Sequence, residues 1–242
     1  MRIVESILTS EGDGAEVQRL FPLRAGRMNH DPFVLWDHFL LEKGMGFPTH
    51  PHRGFEAITY IFEGSMEHKD NLGNHSRVYA KGAQRFTAGQ GIEHSEMPDE
   101  KQRTTGIQLW INLPQSLKTL QADYQQVDAD SIPEKQAEGV TIRTIVGEDS
   151  PLRLHTPVCY LDISLEKGAE FSEMIPDDYQ GLLYVVRGSL QCENNEVDSG
   201  NAIYIEQGDK LVSVKAKQDS RFMFCIGKPH NEPIHQSGPY VD

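Results

Sequence analysis

The chain has 242 residues, with 23 Lys+Arg against 36 Asp+Glu and a formal net charge of −13. Phosphates of nucleic acids repel so acidic a chain, so direct nucleic-acid binding is not expected. Hydrophobic residues make up 38% of it, enough to fill a core, and no run of about 18 apolar residues is present to span a membrane as a helix.

The first residues turn acidic quickly and lack the basic head and apolar middle of a signal peptide. Cys159, Cys192 and Cys225 are odd in number and widely spaced, which suits reduced thiols. Both points lead to the expectation of a cytoplasmic protein.

In chain order, short runs rich in β-branched and aromatic residues predict strands at 56–62, 106–113, 159–165, 182–187, 202–206 and 221–226. Glycine and proline punctuate them throughout. A short helix or helical turn is expected at 114–122. The polar stretch from 122 to 139 reads as a linker, and the tail from 228 to 242, with three prolines, as irregular. The expected fold class is all-β, built as sandwiches or barrels.

An internal repeat refines this reading. Leu41–Gly44 recurs as Leu165–Gly168, an offset of 124 that also superposes Phe47 on Phe171, Tyr60 on Tyr184, Gly64 on Gly188 and Ser65 on Ser189. Further on, an offset of 118 pairs Gly82 with Gly200 and Phe86 with Tyr204. Two tandem β-domains follow: 1–125, a linker at 126–139, and 140–242.

The two copies differ where the chemistry lies. His50 and His52, and likewise His94 and Glu96, are two residues apart, so each pair faces one side of an extended segment. If the segments are neighbouring strands, three imidazoles and a carboxylate converge, a set suited to a borderline divalent metal with open positions. In the second copy the four positions are Met174, Pro176, Val212 and Val214, none of which binds such a metal. The set therefore serves the first domain and not the fold. Glu56 is a competing carboxylate, although Arg53 and Gly54 break its parity with His52. Glu93 has the wrong parity, Arg53 could orient a carboxylate, and His68 is the most conspicuous of the remaining histidines.

The motifs Asp31–Asp37 (DPFVLWD), Phe47–Glu56 (FPTHPHRGFE), Thr87–Pro98 (TAGQGIEHSEMP), Gln108–Leu113 and Gly238–Tyr240 resemble those of the pirin family in the cupin superfamily. The likeness spans nearly the whole chain, except that it ends soon after Gly238–Tyr240 without the longer relatives' helical extension. It implies two tandem antiparallel cupin (jelly-roll) barrels facing each other, with a metal site in the N-terminal barrel only. The implied ligands are His50, His52, His94 and Glu96, the last also a possible base. Fe(II) is the expected ion, with Zn, Mn, Ni, Co or Cu as substitutes. The resemblance implies either an oxygen-dependent dioxygenase opening flavonols such as quercetin at the 2,3 bond with CO release, or a non-enzymatic, redox-sensing metal protein that binds a protein partner. A monomer is expected.

Overall fold

A computed structural model describes residues 1–23, 26–99 and 101–242. The first strands are β1 (Arg2–Glu5), β2 (Ile7–Glu11), β3 (Ala15–Phe21) and β4 (Phe33–Leu41). Then come β5 (Phe47–His52), β6 (Phe55–Glu63), β7 (Ser65–Asp70), β8 (His75–Tyr79), β9 (Ala83–Thr87), β10 (Ile92–Pro98) and β11 (Thr104–Asn112). A single 3-10 turn, Gln115–Leu117, stands where a short helix was expected, and it leads to β12 (Asp123–Val127). The remainder gives β13 (Glu134–Ala137), β14 (Val140–Val146), β15 (Val158–Leu165), β16 (Glu170–Met174), β17 (Gln180–Arg187), β18 (Ser189–Cys192), β19 (Asn195–Asp198), β20 (Asn201–Ile205), β21 (Leu211–Ala216) and β22 (Ser220–Gly227), and the tail, expected to be irregular, closes on a two-residue pairing of β23 (Gln236–Ser237) with β24 (Tyr240–Val241).

The chain forms two compact units. The N-terminal unit is Ile7–Ser131 with His230–Asp242, and the C-terminal unit is Met1–Ser6 with Ile132–Pro229. The sequence reading kept each domain contiguous; the structure exchanges their ends, because β1 pairs with β20 from Arg2↔Tyr204 to Glu5↔Asn201. The stretch read as a linker also differs, since it carries β12 and β13. Both are edge strands: β13 is exposed along its length, and β12 is exposed or half-buried until its last residue, the buried Val127, so neither shows the apolar alternation that marks a strand in sequence.

Each unit is antiparallel, and the two have one topology. The N-terminal unit has a seven-stranded sheet in the order β12-β9-β6-β11-β4-β3-β2 and a four-stranded sheet β5-β10-β7-β8. The C-terminal unit repeats this as β1-β20-β17-β22-β15-β14-β13 and β16-β21-β18-β19. The repeat seen in sequence is thus a repeat in structure, down to one turn. Gly64 and Gly188 both have φ in the left-handed region, at 82° and 89°. Ser65 and Ser189 then donate their backbone N–H to Thr104 and Ser220, whose hydroxyls return a bond to the same serines' carbonyls.

The interiors differ. In the C-terminal unit an apolar cluster includes Leu183, Val185, Cys192, Ile203, Val212, Val214 and Phe224. In the N-terminal unit Ala57 and Ile61, both on β6, belong to two separate apolar clusters. Between them on β6 lies Thr59. Cross-strand register places it in a polar row, Arg19, Asp37, Gln108, Thr59 and Gln84, running across β3, β4, β11, β6 and β9.

Candidate metal centre

β10 lies between β5 and β7, with His94 opposite both His50 and Asp70. Alternation puts His52 on the same face as His50, and the three imidazoles meet. One ligand nitrogen from each lies within 4.8 Å of the other two. Ring centroids are 4.5 Å apart for His50 and His52, 4.6 Å for His50 and His94, and 4.9 Å for His52 and His94. His52 and His94 are buried, and His50 is half-buried. Among the described residues, no other group of histidine, cysteine or acidic side chains clusters this way.

The unused nitrogens point to a metal. Nδ1 of His50 donates to the Pro48 carbonyl at 2.6 Å, and Nδ1 of His52 to the Pro239 carbonyl at 3.3 Å. A neutral imidazole that donates through Nδ1 keeps its lone pair on Nε2. Nδ1 of His94 meets Nδ1 of His68 at 3.4 Å, and Nε2 of His94 is buried with no hydrogen-bond partner. Such an orphaned buried nitrogen beside two further imidazoles fits a divalent metal. The rings of His52 and His94 are also kept neutral. Burial, with the neighbouring rings of His94 and His50, lowers His52 to about 3. Burial, with His50 and His68, lowers His94 well below the ordinary histidine range.

Glu96 is buried as well, and it stands outside the three-imidazole group. Its Oε1 accepts from Thr59 at 2.7 Å and Gln84 at 2.5 Å, and its Oε2 from Gln108 at 2.7 Å. A register shift between His94 and Glu96 sets Glu96 opposite Phe47 instead of Pro48, which bends the strand pair and re-aims the carboxylate toward the polar row. Tyr124 donates to Oε1 of Gln84 at 3.1 Å, which turns the amide so that its nitrogen faces Glu96.

The other residues singled out from sequence are placed elsewhere. Glu56 is fully buried and accepts from Thr87 at 3.0 Å, outside the imidazole group. Glu93 is exposed. Arg53 forms two bonds to Asp242, at 3.0 and 2.8 Å. His68 is buried against His94. Thr59, Gln84, Gln108, Tyr124 and Pro239 were not anticipated. The repeat carried a signal for two of them, since the same offsets turn Thr59 into Leu183 and Gln84 into Ala202.

His50, His52 and Glu96 line a cavity of about 560 Å³. Its walls include Val17, Leu35, Phe39, Phe47 and Trp110, and no described lining residue is a lysine. Arg19 and Asp37 form its charged side, joined by two bonds of 2.7 and 2.5 Å. Burial pushes the Asp37 carboxyl up to about 6 against the pull of Arg19. The tail contributes Gln236, Gly238 and Pro239 to the lining. It is fixed by Val241 N–H donating to the Arg53 carbonyl at 3.0 Å and by Lys118 Nζ donating to the Val241 carbonyl at 2.8 Å.

Comparison with known proteins agrees with this architecture. The chain is 37% identical to human pirin over 242 aligned residues, covering 96% of this chain and 83% of that one. A solved structure described as quercetin 2,3-dioxygenase from Acinetobacter baumannii superposes with a TM-score of 0.91 at 28% identity, over 100% of this chain and 90% of that one. The bacterial pirin YhhW from Escherichia coli, solved in complex with nickel(II), shares the fold with a TM-score of 0.76 at 24% identity, over 94% of this chain and 98% of that one. Residues 14–111 match the Pirin family and residues 160–242 the Pirin C-terminal cupin domain, so this chain is a two-cupin member of the pirin family.

Proposed function

We propose that the chain is a metal-dependent dioxygenase that takes a flavonol such as quercetin, consumes O₂, opens the substrate at the 2,3 bond and releases CO. The observation that carries this reading is a three-imidazole site opening into an apolar, aromatic-walled cavity of about 560 Å³. That volume suits a drug-sized planar molecule, and the absence of lysine among its described lining residues disfavours a sugar phosphate. The likeness to the Acinetobacter quercetin 2,3-dioxygenase supports the same substrate class.

His50, His52 and His94 hold the metal, which we take as Fe(II), with Ni, Co, Mn, Cu or Zn as substitutes suited to the same donors. When bound, the metal supplies Lewis-acid activation of the substrate's 3-hydroxyl and 4-carbonyl. Phe47 and Trp110 hold the flat ring system and keep water away. Glu96, expected as a fourth ligand, also accepts the 3-hydroxyl proton. Its Oε2 receives one hydrogen bond, which leaves it acceptor capacity on a carboxylate that lines the cavity.

Purified protein analysed for metal content and then supplied with quercetin should consume O₂ and release CO in proportion to occupied sites. Full metal occupancy with neither gas exchanged would overturn the dioxygenase reading and favour a non-enzymatic metal protein.

A further inference from the structure

His94 is held differently from its two partners. His50 and His52 give Nδ1–H to backbone carbonyls, which can only accept. His94 turns Nδ1 toward another imidazole, Nδ1 of His68, at 3.4 Å. Two ring nitrogens bond only if one carries a proton and the other a lone pair, so the direction of that bond decides which nitrogen of His94 is free.

The far side of His68 fixes the direction. Its Nε2 lies 2.9 Å from Oδ2 of Asp70. Asp70 is surrounded by donors: Oδ2 also accepts from the Asn74 side chain at 2.8 Å, and Oδ1 from the backbone N–H groups of Leu72 at 3.0 Å and Asn74 at 2.9 Å. Such a carboxylate acts as an acceptor only, so Nε2 of His68 bears the hydrogen. In neutral His68 the lone pair then sits on Nδ1 and accepts from His94. His94 keeps its own lone pair on Nε2, the buried nitrogen with no partner in the protein.

The ring of His68 has little freedom to turn. It is fully buried and stacks on Tyr124, with centroids 4.1 Å apart and planes 15° apart. Tyr124 is pinned in turn by Ser76 at 2.7 Å. The pair is also confined to the unit that has the imidazoles. β18 occupies in the C-terminal unit the place of β7, and the offset of 124 turns His68 into Cys192 and Asp70 into Asn194. Cys192 there belongs to the apolar cluster, so a barrel of this topology has no need of a buried histidine at that place.

We propose that His68, oriented by Asp70 and Tyr124, is a positioning residue that holds His94 in the Nδ1–H tautomer and so presents Nε2 to the metal. This rests on the metal reading of the site, but its first test does not. In metal-free protein, two-bond 1H–15N imidazole spectra should show His94 as the Nδ1–H tautomer. His68→Phe, which keeps a ring against Tyr124 and removes the acceptor, should shift His94 toward Nε2–H while His50 and His52 keep their tautomers. Asp70→Asn should shift it the same way to a smaller extent. Zn(II) titration should show affinity falling on the order of 10–100-fold in His68→Phe. A wild-type His94 carrying its proton on Nε2 would overturn the proposal, as would His68→Phe leaving both the tautomer and the Zn(II) affinity unchanged. Movement of all three histidines together would mark general loss of structure and also count against it. A wild type with the expected tautomer that takes up no Zn(II) would support the positioning role and end the metal reading instead.

Discussion

The imidazole of His52 donates through Nδ1 to the carbonyl oxygen of Pro239 at 3.3 Å, across a sequence separation of 187 residues. A residue of the three-imidazole cluster is therefore oriented by the tail. Around this bond, Val241 is fully buried within a cluster that includes Phe55 and Phe86, whereas the Arg53–Asp242 pair lies at the surface. Val241→Ala should therefore cost about 2 kcal/mol in denaturant unfolding and weaken metal retention. Asp242→Ala should leave the thermal midpoint unchanged, because exposed ion pairs contribute little. Equal effects from the two would show that the charged clamp, and not the buried valine, holds the tail.

His52→Ala and His94→Ala should each abolish stoichiometric metal content by elemental analysis while far-UV circular dichroism stays that of the wild type. The apolar clusters and sheet ladders supply the stability, and the C-terminal unit keeps the same topology with Val212 and Pro176 at the aligned positions. Loss of the β-sheet signal in either variant would show that the imidazoles are structural.

Glu96→Gln separates ligand from base. If Glu96 acts as the proton acceptor, turnover should fall on the order of 10²–10⁴-fold with Zn(II) affinity changed less than about tenfold. A parallel collapse of affinity would assign it to the metal. The substituted amide must also turn an N–H toward Thr59, Gln84 or Gln108, which already donate to this carboxylate, so a modest loss of stability is expected in either case.

The metal-free protein should lose stability on mild acidification. His52 is lowered to about 3 in the folded state by burial and its neighbouring imidazoles. Between about pH 6 and 3 the unfolded chain binds the proton that the folded one refuses, so stability falls with pH by up to roughly 1.4 kcal/mol per unit from this residue. Asp37 works in the opposite sense. Burial raises it to about 6, so between that value and about 4 the folded form binds more protons, and acid favours it. Thermal scans of wild type and His52→Phe should differ in slope between about pH 6 and 4: the variant loses the contribution of His52, and what remains is set by His94, which also opposes acid, against Asp37, which favours it.

Much of this was legible in the sequence, for physical reasons. β6, β11, β15, β17, β20 and β22 are central strands whose apolar runs announce them, whereas β12 and β13 are edges with solvent on one side. His50, His52 and His94 were legible because strand parity is rigid. The position of Glu96 was harder to read, since the register shift after His94 is a three-dimensional event with no clear residue signature. His68 stands out in sequence only by its place at a strand end and Asp70 not at all, and comparison with Cys192 and Asn194 distinguishes the pair. The Pro239 carbonyl carries no side-chain signal at all.

Because the tail is woven into the N-terminal barrel, the order in which the ribosome delivers the chain matters. His50, His52 and His94 emerge long before Pro239, so during synthesis His52 lacks the acceptor that fixes its ring. The finished arrangement of the His52 ring arises only once residues 239–241 have been made and docked, so this imidazole is oriented late although its own strand is synthesised early.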